Sequence, residues 1–210
     1  KLSAQNASLT FKIPKSDFET CDFLNKLKCR ITMIEYAAFL GSVNVFKFLL
    51  LQKASMNSFI ADIASAGGNA DIIHLLEQQH VTFNQSSLEA AIICHQNQLF
   101  EYLHSNHNIQ FSLNQLMLSI TYFNFFCFNS ILSENSFPIE MKDRVDLLVH
   151  SCTNGNLEAF QFLSKFVNFD EFNLLPKKQD LFSLACISGN PDLVKYLIDC
   201  KEIDKNVLNF

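Results

Sequence analysis

Cys94-His95, followed by His104-Ser105-Asn106-His107, is the densest gathering of reactive side chains in this 210-residue sequence. A thiol beside an imidazole could serve nucleophilic catalysis, in which a base activates a nucleophile and a third group orients the base. Two histidines three residues apart could begin a metal site. Neither reading carries far. Neighbours in sequence point to different faces of a helix, so Cys94 and His95 do not converge. Zinc wants four ligands in recognisable pairs, and no second pair follows His107. Histidines near a helix end commonly complement its negative terminus instead. No Gly-x-Ser-x-Gly elbow and no phosphate-cradling glycine loop occurs, and Gly67-Gly68 ends a helical pattern rather than following a strand. The expectation is a non-catalytic chain that needs no metal and no cofactor.

The elements around these residues are more informative than the residues themselves. Of five glycines, Gly41, Gly68, Gly155 and Gly189 each lie four residues after a small residue, namely Ala37, Ala64, Ser151 and Ala185. With the small residue as position 0, six copies align on Ala37, Ala64, Ala91, Ser119, Ser151 and Ala185, at intervals of 27, 27, 28, 32 and 34 residues. Position 8 holds Val45, Ile72, Leu99, Cys127, Ala159 and Leu193, and position 9 holds Phe46, Ile73, Phe100, Phe128, Phe160 and Val194. Position 10 is polar throughout. Position 11 holds Phe48, Leu75, Tyr102, Ser130, Phe162 and Tyr196, and position 12 is always Leu or Ile. Residues three and four apart share a helix face, so this pattern predicts an α-helix with positions 8, 9, 11 and 12 in the core. The first helix of each copy precedes the glycine, and its small residues allow close helix approach.

The turns have their own chemistry. Three copies read Gly-Asn-x-acid: Gly68-Asn69-Ala70-Asp71, Gly155-Asn156-Leu157-Glu158 and Gly189-Asn190-Pro191-Asp192. Glycine takes the left-handed conformation that ends the first helix. Asn caps the next helix by accepting a backbone N–H. Pro191 suits a first helical turn, and the acid complements the helix N-terminus. Thr32, Ser86, Asn114, Asp146 and Asp180 stand five residues before the small residue as expected first-helix caps, with Ser86 and Glu89 spaced as a capping box.

Ala185-Cys-Ile-Ser-Gly-Asn-Pro-Asp-Leu-Val-Lys-Tyr-Leu-Ile198 resembles the ankyrin repeat in its most specific stretch, and residues 35–50 resemble a second good copy. The resemblance covers about residues 31–200, is poorest in the fourth copy, and lacks the Thr-Pro-Leu-His opening, of which Thr32-Met33-Ile34-Glu35 is the nearest relic. The first three intervals fall short of the usual repeat of about 33 residues, leaving little room for β-hairpin fingers. The chain looks most like the divergent, Asn- and Phe-rich ankyrin-type proteins of some single-celled eukaryotes. That resemblance implies an all-α ankyrin-type solenoid of about six helix–turn–helix units with short or degenerate fingers, acting through contacts with another protein.

The expected organisation is an irregular segment with a capping helix over 1–30, including a helix from Ser16 to Cys29. An array over 31–200 follows, with units near 31–57, 58–85, 86–112, 113–142, 143–178 and 179–200. Residues 201–210 read as a tail or the start of a further segment, and the second reading carries the expectation of a longer chain. A formal charge of −5, with no Lys/Arg run beyond Lys177-Lys178, argues against nucleic acid. Seven cysteines without close pairing favour reduced thiols and a cytoplasmic or nuclear setting.

The fourth copy breaks the pattern. Phe123 stands where glycine is expected, Phe125 and Phe126 follow, and no formally charged residue occurs from Tyr102 through Ser133. Three readings stand. Residues 115–132 approach the roughly 20 apolar residues of a membrane span, but polar residues interrupt them and the repeat runs through them, so no span is expected. Degenerate packing would rebuild the turn, because a left-handed Phe costs about 1–2 kcal/mol. A protein-binding patch of Phe123, Phe125 and Phe126 is the third, since contiguous exposed apolar surface marks interaction sites. The functional expectation is a protein–protein interaction scaffold. The alternatives are a structural spacer or assembly element of a larger chain, or a targeting module for a fused domain.

Overall fold

The computed structural model describes residues 11–14, 19–27, 30–134, 140–167 and 181–200. The described residues are all-α, with thirteen helices and one isolated bridge between Lys12 and Thr32. The chain forms two compact units, Lys1–Gln110 and Phe111–Phe210.

The first unit holds α1 (Asp22–Lys26), α2 (Met33–Phe39), α3 (Val43–Leu51), α4 (Ile60–Gly67), α5 (Ala70–Gln78), α6 (Gln85–Ile93) and α7 (Asn97–His107). Successive first helices lie side by side: α2 packs on α4 and α4 on α6. Each pairs with its own second helix, α2 with α3, α4 with α5 and α6 with α7, and α3 also touches α5. The second unit repeats the scheme with α8 (Leu113–Thr121), α9 (Phe125–Ser133), α10 (Met141–Thr153), α11 (Leu157–Ser164), α12 (Leu181–Ser188) and α13 (Pro191–Asp199). Here α8 packs on α9 and α10, α10 on α11 and α12, and α12 on α13.

All six turns at position 4 are left-handed, with φ of +65° at Gly41, +70° at Gly68, +56° at His95, +54° at Phe123, +68° at Gly155 and +76° at Gly189. The hydrogen bonds explain why. The N–H at position 5 returns to the carbonyl at position 0 from Ser42 to Ala37 (2.9 Å), Gln96 to Ala91, Asn124 to Ser119 and Asn156 to Ser151 (2.8 Å each). The N–H at position 4 returns to position 1, as from Phe123 to Ile120 at 3.2 Å. This is the Schellman closure, which satisfies carbonyls that a helix end would leave unpaired. The fourth turn is therefore kept rather than rebuilt, contrary to the packing expectation for Phe123. Gly67 serves a different need: a Cβ there would sit 2.5 Å from the Phe39 carbonyl oxygen and 2.6 Å from that of Ala38.

Asparagine joins the turns to the next helices. The Oδ1 atoms of Asn69, Asn156 and Asn190 accept from the backbone of Ile72 (3.1 Å), Ala159 (3.0 Å) and Leu193 (3.2 Å). In the fourth copy Asn124 does the same for Cys127. The amide also reaches back to the preceding copy, from Asn156 to the Ile120 carbonyl at 2.8 Å and from Asn190 to the Gly155 carbonyl at 2.7 Å.

Helix starts follow the expectation in part. Thr32 and Glu35 form a capping box on α2, and the buried Glu35 carboxylate also accepts two bonds from Asn57, at 2.8 and 3.1 Å. The start of α6 is corrected: Asn84 caps it and pairs with Ser87, rather than Ser86 with Glu89. Ser112, not Asn114, caps α8. Asp146 lies inside α10, which begins at Met141. Asp180 and Ser16 lie outside the described residues, and the expected helix over 16–29 is observed over Asp22–Lys26.

The core is narrower than the pattern implies. Position 12 is buried in all six copies (Leu49, Leu76, Leu103, Ile131, Leu163 and Leu197), and position 9 in all but Val194. Position 8 is buried from Ile72 onward but exposed at Val45. Position 11 is nowhere buried: Phe48 is exposed and the rest are half-buried. Two residues past position 9 and one before position 12, it lies on the margin of the apolar stripe, where a ring covers the core edge without entering it.

Candidate protein-binding surface

In the second unit, the left-handed turn throws the Phe123 ring outward while buried Asn124 closes the start of α9. Phe123 is 52% exposed and Phe126, the second residue of α9, is 41% exposed. Phe125 is half-buried and meets Phe128 edge-to-face, with centroids 6.0 Å apart. The ring series continues from Phe128 to Phe162 at 5.6 Å and from Phe162 to the exposed Phe166 at 5.2 Å. The three residues singled out from sequence thus divide: Phe123 and Phe126 present open rings, while Phe125 leans on the core. Phe162 was missed, since position 11 was assigned to the core, and Phe166 lies at position 15, past the end of the counted pattern.

Residues 115–132 do not form one helix, because α8 and α9 are broken at Tyr122–Asn124. No helix among the described residues is long and apolar enough to cross a membrane.

The reactive residues of the first unit are held apart. The Cys94 thiol is pushed up to about 12, first by burial and then by the neighbouring Cys21 thiol and Asp22, so it stays protonated at neutral pH. His95 occupies the left-handed turn. His104 contacts the Ile109 carbonyl oxygen through Nδ1 at 2.8 Å. His107 turns instead to Glu77, Nε2 to Oε1 at 2.8 Å. Among the described residues no group of three or more His, Cys, Asp or Glu is placed to hold a metal ion.

Glu77 centres a cluster that sequence reading did not find. Besides His107 it engages His74 Nδ1 at 2.9 Å and accepts from the Tyr102 hydroxyl at 2.8 Å. Burial pushes its carboxyl up, but the bonds from His74, Tyr102 and His107 outweigh that and hold it below its ordinary value. The same bond to Glu77 raises the Tyr102 phenol. Beside the cluster, between α5 and α7, lies a cleft of about 220 Å³ lined by residues including Gly68, Ile73, His74, Leu99 and Tyr102. These side chains come from copies 25 to 30 residues apart, and only stacking of α5 and α7 brings them together.

Residues 52–131 match a protein family described as "Domain of unknown function (DUF3447)", a match over well under half of the chain. No curated protein matches. Among solved structures, a chain of "Bd0816 Predatory Endopeptidase from Bdellovibrio bacteriovorus in complex with immunity protein Bd3460" is similar, with a TM-score of 0.52 and 21% sequence identity. The likeness covers 80% of this chain and 97% of that one. At that identity it speaks for a shared helical fold.

Proposed function

We propose that this chain is a divergent ankyrin-type repeat protein that acts as a non-catalytic scaffold for binding another protein. The observation that carries the reading is the fourth copy. It keeps the repeat's left-handed turn with a phenylalanine, and it exposes Phe123 and Phe126 where the other copies place glycine, histidine or polar groups. A side chain that strains its backbone while leaving its ring in water contributes little to folding. Exposed aromatic rings are what interface cores are enriched in. The recurrent turn, the Asn caps and the paired helices support the ankyrin-type assignment. A structural neighbour solved as a protein–protein complex supports the binding role in general terms.

The test is Phe126→Asp. The variant keeps the helical circular dichroism of the wild type, because the ring it removes is outside the core. In a cross-linking pull-down from native lysate, a protein captured by wild type is lost from the variant. Equal capture by both moves the binding surface away from the fourth copy.

A further inference from the structure

Cys21 and Cys94 stand 73 positions apart in the sequence, and the fold of the first unit brings their side chains into hydrogen-bond contact. Cys21 is the N-cap of α1, and its side chain makes no capping bond there. Cys94 is the C-cap of α6, one residue before the left-handed turn at His95. Both are half-buried, so neither thiol is sealed in the core. Cys127 and Cys152 differ: both are buried, and the Cys152 thiol donates to the Leu181 carbonyl at 2.9 Å. Sulfurs in contact must still approach to about 2.0 Å to bond. Cys21 can supply that movement, because it lies in extended backbone ahead of a five-residue helix.

So short a helix does not stand alone and depends on its neighbours. Leu24 lies in a buried cluster with Ile31 and Ile63, against which Cys21, Phe23, Tyr36 and Phe39 pack. The Ile13 N–H donates to the Ile31 carbonyl at 2.7 Å. These contacts fasten α1 and the residues before it to the first two copies, and the thiol contact adds a link to α6 in the third. The surroundings also set which thiol reacts first. Burial, then Cys21 and Asp22, push the Cys94 thiol up to about 12, so at neutral pH it is no ready nucleophile. Exchange therefore starts at Cys21, and Cys94 completes it. A thiol that gains nothing as a thiolate also gives up little on oxidation, which favours the bonded form.

We infer that Cys21 and Cys94 are a thiol–disulfide exchange site, closing a reversible bond that ties α1 to α6, with glutathione disulfide as oxidant. The Cys21 thiolate attacks one glutathione sulfur. A Cys21–glutathione bond forms, the glutathione disulfide breaks, and the first glutathione leaves and takes up the proton that Cys21 lost. Cys94 then gives up its proton and attacks the Cys21 sulfur. The protein disulfide forms and the second glutathione leaves, protonated in turn. The two cysteines lose two electrons, and one glutathione disulfide becomes two glutathiones. The cross-link constrains a long loop of the unfolded chain and so stabilises the folded one. It belongs to the first unit and stands whether or not Phe123 and Phe126 bind a partner.

The test is oxidation of the native 210-residue chain with glutathione disulfide in mildly alkaline buffer, followed by an acid quench and mass spectrometry of an unreduced digest. Wild type yields a peptide that joins Cys21 to Cys94, lighter by two hydrogens, free of glutathione and parted by dithiothreitol. Cys94→Ser stops at the glutathione mixed disulfide on Cys21. Cys21→Ser leaves Cys94 unmodified over the same time. Oxidised wild type unfolds at higher urea than the reduced chain, and neither serine variant shows that shift. Four results overturn the inference: both thiols unreacted, glutathione held separately on each, Cys21 joined to a cysteine other than Cys94, or a bond that leaves the urea midpoint unmoved. The wild-type map and its urea shift decide the matter even where a serine variant folds poorly.

Discussion

The turns at Gly68 and Phe123 occupy the same place in their copies, one in each unit, and share a backbone conformation within 16° of φ, +70° against +54°. Gly68 adopts it without strain. Phe123 adopts it at a cost of about 1–2 kcal/mol. A Cβ on Gly68 would meet the end of the Gln96 side chain, which bonds the Ala66 carbonyl at 3.2 Å. Around Phe123 the ring is half open to solvent. The difference teaches that the Schellman hydrogen bonds and the packing of the paired helices set the turn, and that glycine only makes it cheaper.

If the two units share one register, Leu76→Ala in the first and Ile131→Ala in the second both destabilise by about 2–5 kcal/mol in urea melts, since both are fully buried at position 12. A large loss at one and none at the other breaks the shared register. Next in size is Gly67→Ala. Its methyl must displace the backbone of Phe39 and Ala38, and overpacking of that kind costs about 1–3 kcal/mol. The fourth copy carries Tyr122 at the same position, so a neutral result would show that the first unit is as tolerant there as the second.

Phe123→Gly works in the opposite direction. Release of left-handed strain raises stability by about 1 kcal/mol, while capture of a binding partner falls. A variant that melts earlier than wild type would show the ring to be part of the core after all. The smallest effects are electrostatic and of opposite sign in the two units. Burial raises Asp62, whose Oδ1 accepts from Ser87 at 2.8 Å. A group raised in the folded state stabilises below its unfolded pKa and loses that contribution as pH rises, so Asp62→Asn raises the urea midpoint at pH 7 and not in acid. Burial lowers His150, whose Nε2 lies 2.8 Å from the Thr121 hydroxyl. Its contribution is present above the unfolded pKa and is lost as pH falls, so His150→Gln flattens the decline in stability between neutral and mildly acidic pH. Parallel responses in the two variants would show that neither group is buried as described.

The sequence by itself determined the local chemistry. Spacing from Ala37 to Ala185 marks the helix pairs, Gly-Asn marks the turns, and Asn69, Asn156 and Asn190 cap helices as expected, because a cap or a turn depends on residues within one helical turn of each other. It also marked the fourth copy as exceptional and named two of its exposed rings. Helix starts were less legible where several polar residues compete, as Asn84 does with Ser86. Tertiary structure alone decided which apolar positions are buried. Position 11 reads like core and is not, because burial depends on which neighbouring helix lies over each face. For the same reason Val45 differs in exposure from residues of similar type at equivalent places. The Glu77 cluster could not be read from sequence either, since its histidines and tyrosine meet only when α5 and α7 stack, and a pattern within one helix carries no record of its neighbour's register.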